Sequence, residues 1–362
     1  MAGTSSTIDY KALADAPRLL MECELKPLQG HRFQPTGFAD LGPARYTLPD
    51  GTEMLLVESV QSVANRMELA CWDLAVDDLV SELSGLPYIR VKNSGGNGTL
   101  TNSVLEAHRI NSEYVMKEAR RVSVANGKLK VADKTYNKEF AEKIGYQKDD
   151  RVDRKKFHDG LFKYDPNSLI HGCFLEEIGG RLRATRILSG FIEASGVVVA
   201  ESGGVKNNIV QPELRGGEGN VPFHRTEFVA KEIKAYFNLD LALLRGYGLP
   251  DEATRLLIAL ALFKIRRFLS TGLRLRTACD LEVNGALSVT RPSGFTVPDE
   301  KALLDECKAR IKDCKPLFAD PAVTEIEWKP AKKAKGKNAE GGQGEARHTN
   351  DADPEGVEGN DA

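Results

Sequence analysis

The stretch TEMLLVESVQSVANRMELAC, residues 52–71, decides how this chain is read. Leu56, Val60, Val63, Met67 and Ala70 recur in it at helical spacing, so periodicity predicts one helix over the whole stretch with that stripe turned inward. Glu58, Gln61, Ser62 and Asn65 then share another face at i, i+3, i+4 and i+7, with Arg66 beside them. Amides and a hydroxyl both donate and accept, which fits phosphate oxygens, sugar hydroxyls and base edges without selecting one sequence. Arg66 would add a two-pronged phosphate contact. The same residue types also make an ordinary solvated helix face.

Upstream, residues 1–20 read as a loose N-terminal arm and 21–28 as a first strand. Residues 29–50 form a long loop punctuated by glycine and proline. His31, Arg32, Phe33, Phe38, Arg45 and Tyr46 argue that this loop is ordered. Downstream, a helix is expected over 102–121 and a hairpin over 121–131, turning at Asn126-Gly127. The charge-crowded segment 134–159 reads as a solvated insertion. Residues 190–200 read as a strand pair or one buried strand, and 201–208 as a loop. In that loop Gly203 and Gly204 let the backbone approach a phosphate and Lys206 adds charge, though a Gly-Gly pair after a strand also serves as a plain turn. Helices are expected over 226–237, 251–270 and 299–314, with a strand over 281–290. Arg274 and Arg276 alternate with leucines, so a strand would turn both to one side. Lys264 and Arg267 could extend that basic surface, or simply complement a helix C-terminus.

The chain of 362 residues, 41% hydrophobic and 28% charged, is long enough for one elaborated domain or two small ones. Strands mixed with helices and long insertions indicate an α+β class. The net charge of −2 means that any nucleic-acid surface must be local. Six scattered cysteines form no C-x-x-C pair, so buried thiols are expected and no metal or cofactor is. No signal segment or membrane-spanning run stands out, so a cytoplasmic protein is expected. The patterns of P-loop triphosphatases, serine hydrolases and H-E-x-x-H metalloenzymes are missing. From 329 to 362 the composition becomes lysine-rich and then nearly free of large apolar residues, which predicts a disordered tail.

Several ordered blocks resemble a known family. They are residues 29–42 (QGHRFQPTGFADLG), 56–68, 165–172 (DPNSLIHG), 186–194, 202–206 (SGGVK) and 222–228 (PFHRTEF). Together they resemble the GSU-type backbone RAMP subunit of type I-G (formerly I-U) CRISPR Cascade complexes, over roughly residues 20–320. The resemblance implies an RRM-like (ferredoxin-like) palm with finger and thumb insertions over 21–328. Copies would oligomerise along a guide RNA (crRNA) and present its spacer to target DNA, beside a large subunit and a guide-processing subunit. Guide contacts would fall to Arg32, Gln61, Ser62, Asn65, Arg66, Gly203, Gly204, Lys206, Arg274 and Arg276. Either 121–131 or 201–208 would be the thumb. Type I backbones implied by this resemblance do not cut. A related type III activity, metal-dependent cleavage of target RNA, would use Asp40.

Overall fold

Strands whose apolar residues fall at every second position build the central sheet. In β1 (Arg18–Pro27), Leu19, Met21, Cys23 and Leu25 are buried. Leu188, Ile192 and Ala194 are buried in β2 (Leu188–Ser195), and Ile233, Ala235, Phe237 and Leu239 in β3 (Glu232–Asp240). Together with β4 (Cys279–Val283) these run β4–β1–β3–β2, each neighbour antiparallel. Helix α1 (Val60–Leu69) lies between β1 and β2 in the chain, and α2 (Asp251–Thr271) between β3 and β4. Short strands, among them Glu53–Glu58 on the outer edge of β2 and Arg274–Arg276 beyond β4, extend the sheet to eight. The computed structural model describes residues 7–329 apart from 39–40, 95–97, 126–127, 149, 181 and 208–219; at 38, 124–125, 128–129, 206–207 and 220–222 it describes the backbone alone.

Helix α2 is apolar nearly all round, and such a helix must be covered on several sides. Phe268 meets Phe237 of β3 edge-on at 6.2 Å between ring centroids. Helices α1 and α3 (Glu300–Cys314) pack on other faces of α2. A second sheet of five strands, 128–135, 120–125, 323–328, 88–93 and 99–102, includes one parallel pair, 323–328 with 88–93. All six cysteines are buried free thiols. Among the described residues no helix is long and apolar enough to cross a membrane.

Several expected elements differ, each for a local reason. The stretch 52–71 is not one helix: Glu53–Glu58 is a strand burying Leu55 and Val57, and the helix starts after Ser59. The Ser59 hydroxyl accepts from the Ser62 backbone N–H, an N-cap that helical periodicity alone overlooks. The helix expected over 226–237 is instead the end of strand Asn220–Val229 and the start of β3, where alternation outweighs helical spacing. Over 102–121 only a turn at Arg109–Asn111 and one helical turn at Glu113–Met116 are helical. The segment 134–159 is not simply solvated. It carries helix Tyr136–Lys143 and most of Arg154–Tyr164, which bury Tyr136, Phe140 and Phe157 beneath a charged outer face. Within the arm, Ile8 and Leu13 join the core. Of the Gly-bearing stretch expected as a loop over 201–208, residues 201–207 are strand, part of Val198–Asn207 paired along its length with Asn220–Val229; residue 208 lies outside the described residues. The Asn126-Gly127 turn and the tail from 330 lie outside the described residues.

Phe268 is fully buried on α2, so Phe268→Ala removes a large ring from a packed site. It is expected to lower unfolding stability by about 3–5 kcal/mol, measured by urea denaturation at constant m-value.

Candidate nucleic-acid interface

Two buried carboxylates bracket α1, and the candidate residues divide according to whether these carboxylates hold them. Glu58, 1% exposed, pairs with Arg276 and lies 4.0 Å from Arg66 Nε. Arg276 also donates to the carbonyls of Gln34 at 3.1 Å and Val57 at 3.2 Å. Arg66 donates to the carbonyls of Arg274, at 3.2 Å, and Leu275. Two arginines expected on an RNA surface therefore spend most of their donors inside the protein. A buried carboxylate demands this, because an unpaired charge in a poorly solvated site is costly.

Glu68 organises the other end of α1. It receives Arg109 Nε at 2.6 Å and Nη2 at 2.8 Å, and Asn167 Nδ2 at 2.5 Å. Asn167 Oδ1 in turn accepts from Lys264 Nζ at 2.6 Å, and the same ammonium lies 3.1 Å from His171 Nε2. Lys264 is thus buried in a polar network and not on the expected basic surface, while Arg267 pairs with Glu300 at 2.5 Å. Sequence inspection missed this network, although a lysine inside the apolar run LALFKI was a usable signal.

What faces outward is more modest. Gln61 and Asn65 are exposed on α1, joined by a Gln61 Nε2 to Asn65 Oδ1 hydrogen bond of 2.8 Å; Gln61 Oε1 accepts from Arg186 at 3.0 Å. Ser62 is half-buried beside them and Arg274 is exposed. Arg32 is 57% exposed while pairing with Glu227 at 3.0 Å. It stands at the base of the hairpin formed by Val198–Asn207 and Asn220–Val229, where Phe33 bridges Phe228 through two backbone hydrogen bonds of 2.9 Å. Gln34 N then donates to the Ala278 carbonyl, so this loop ties the hairpin base to the Arg274–Arg276 strand. On the hairpin, Gly204 faces Phe223: a Cβ there would fall 2.9 Å from the ring. Val205 and Phe223 are exposed, and Arg225 lies over the Phe223 ring at 6.0 Å. The Lys206 side chain and Asp40 lie outside the described residues. No cluster of metal-ligating side chains occurs among the described residues.

The family model described as "CRISPR-associated protein GSU0053" matches residues 19–199, half of the chain. Among solved structures, a chain of a "CRISPR RNA-guided surveillance complex, pre-nicking" aligns with a TM-score of 0.40 at 14% identity, covering 74% of each chain. Csc2 of Thermofilum pendens aligns with a TM-score of 0.33 at 11% identity, over 86% of this chain and 91% of that one. No curated protein matches in sequence.

Two measurements check these electrostatics. Glu58→Ala leaves Arg276 without its buried partner and is expected to cost about 3–5 kcal/mol in denaturant, whereas Gln61→Ala should stay within about 0.5 kcal/mol. Asp165 is fully buried beside Glu68 and accepts from Ser168 Oγ at 2.7 Å. Burial, more than the opposing Ser168 hydrogen bond, holds its carboxyl up at about 7 instead of 3.8. The folded chain therefore keeps a proton that the unfolded chain releases. The stability linked to that proton is complete below pH ~4 and lost as pH rises through about 7. His171, pushed well down by burial and by Lys264, gives the opposite slope. Wild type relative to Asp165→Asn should accordingly lose stability between pH ~4 and about 7 and then level off, measured by melts across pH.

Proposed function

Because this chain belongs to the CRISPR-associated GSU0053 family, we propose that it is the guide-RNA-binding backbone subunit of a type I Cascade complex. Copies oligomerise along the spacer and hold it for pairing with target DNA, beside a large subunit and a guide-processing subunit. The observation that carries this reading is the family match over residues 19–199, which includes α1 with both of its carboxylate anchors.

The strand order β4–β1–β3–β2, with a helix between β1 and β2 and another between β3 and β4, supports reading the central sheet as an RRM-like palm. The Val198–Asn207/Asn220–Val229 hairpin is the better thumb. Its strands form a separate two-stranded sheet, whereas the hairpin at 120–135 is absorbed into the five-stranded one. An exposed Phe223 ring offers a base a stacking surface, and Val205 offers an apolar wedge. Lys206, Arg32 and Arg274 supply the phosphate contacts, with Gln61, Ser62 and Asn65 as neutral partners. Arg66 and Arg276 act by fixing the palm's edge to Glu58, lending positive field instead of direct grip. In this reading the subunit is a scaffold and leaves cleavage to another protein.

Co-expression with the other complex subunits and a CRISPR array should yield protein carrying RNA, read from the 260/280 nm ratio and from extracted RNA of uniform length. A Lys206→Glu, Arg274→Glu double variant should remain folded and lose most of that RNA. Nucleic-acid-free wild-type complexes would sink the proposal.

A further inference from the structure

A cavity of about 650 Å³ opens beside α1, lined among others by Gln61, His108, Lys117, His171, Arg183 and Arg186. His171, one of the lining residues, is 1% exposed. Its Nε2 faces the Lys264 ammonium, which can only donate, so Nε2 is the acceptor and the ring proton sits on Nδ1. That Nδ1 has no hydrogen-bond partner.

Arg186 repeats the pattern. Its Nη2 donates to Gln61, while Nη1 is buried and unpartnered. Among the described residues no carboxylate pairs with Arg186. The charges it senses are Arg109 and Glu68, and Glu68 is already engaged by Arg109 and Asn167. Gly172 brings the backbones that carry the two donors together. It holds φ at +83°, and a Cβ there would fall 2.9 Å from the Arg186 backbone nitrogen, so residues 171–172 run directly against 186. Buried donors almost always find an acceptor. An anionic acceptor at Nη1 would also gain from the charge of this half-buried guanidinium. Glu113, Glu176 and Glu177 line the cavity too, and Glu177 pairs with Lys117 at 3.7 Å. With these carboxylates in the lining, any attraction for an anion is confined to the two donors, which fits one small oxyanion better than an extended polyanion.

We propose that this cavity is a phosphate-binding site in which phosphate oxygens accept from His171 Nδ1 and Arg186 Nη1. The phosphate belongs either to a nucleic-acid backbone or to a free phosphate compound; only the first source rests on the guide-RNA reading above.

Two titrations of the purified full chain decide it: inorganic phosphate by calorimetry, and a single-stranded RNA oligomer at several salt concentrations. Arg186→Gln should weaken one of these ligands about tenfold or more, as expected for a lost charge-assisted hydrogen bond. Arg186→Lys should recover part of the loss, and Arg255→Gln, on the remote Asp251 pair, should change neither. If RNA is the source, its affinity falls and its log–log salt slope becomes shallower by about 0.7. If a free phosphate compound is the source, phosphate binding is lost and RNA binding is unchanged. Thermal melts of each variant confirm folding. Wild type that binds phosphate but no RNA would keep this site and remove the guide-RNA reading. The proposal is overturned if wild type binds neither ligand, or if folded Arg186→Gln binds both as wild type does.

Discussion

Two negative charges removed from water at either end of one short helix constrain much of this molecule. Glu58 ends the strand leading into α1 and Glu68 lies near the helix's last turn, and both are almost completely buried. A carboxylate in that position is tolerated only with cations and hydrogen-bond donors in place. Glu58 therefore draws in Arg276 from the strand before β4, and Glu68 draws in Arg109 and, through Asn167, Lys264 of α2. Segments far apart in the chain are held to α1 by charge as well as by apolar packing. Slippage of any of them would strand a buried ion, so these pairs specify register even where their net contribution to stability is small.

This constraint separates the basic residues by role. Arg66 and Arg276 are turned inward by Glu58, and Lys264 by the Glu68 network. The side chains left facing solvent on α1 are mostly neutral, Gln61 and Asn65, with Arg274 and Arg32 farther along the same connected loop and strand. A near-neutral chain that grips a polyanion would gain from such an arrangement. In the proposed role few cations would face the ligand, and neutral donors would supply the remaining contacts without selecting a base.

The hairpin beside this surface has its own internal logic. Gly203 and Gly204 read in sequence as an opening for a phosphate, yet a Cβ at Gly203 would fall 2.5 Å from the Phe223 carbonyl, and one at Gly204 would meet its ring. Their small size is explained first by cross-strand packing. The exposed aromatic opposite them is the chemically informative feature, and it becomes visible only once Gly204 and Phe223 are known to pair.

The sequence by itself determined the elements whose signals are local. The weak alternation over 21–28, the apolar run over 190–200 and the capped apolar stretch over 251–270 all describe what lies within a few residues, and strands 18–27 and 188–195 and helix 251–271 stand there with shifted ends. Equally local are the ordered blocks between 29 and 194 that carry the resemblance and fall within the family match over 19–199. It misjudged 226–237 and 134–159, where alternation and a few aromatics among many charges outweighed the first impression of periodicity and polarity. Only the tertiary structure decided which cations are free. Arg276 meets Glu58 across 218 positions and Lys264 meets Asn167 across 97, and nothing in an arginine's or lysine's neighbours along the chain reveals such a partner. Pairing energy depends on distance and burial in space, and both are set by the folded backbone.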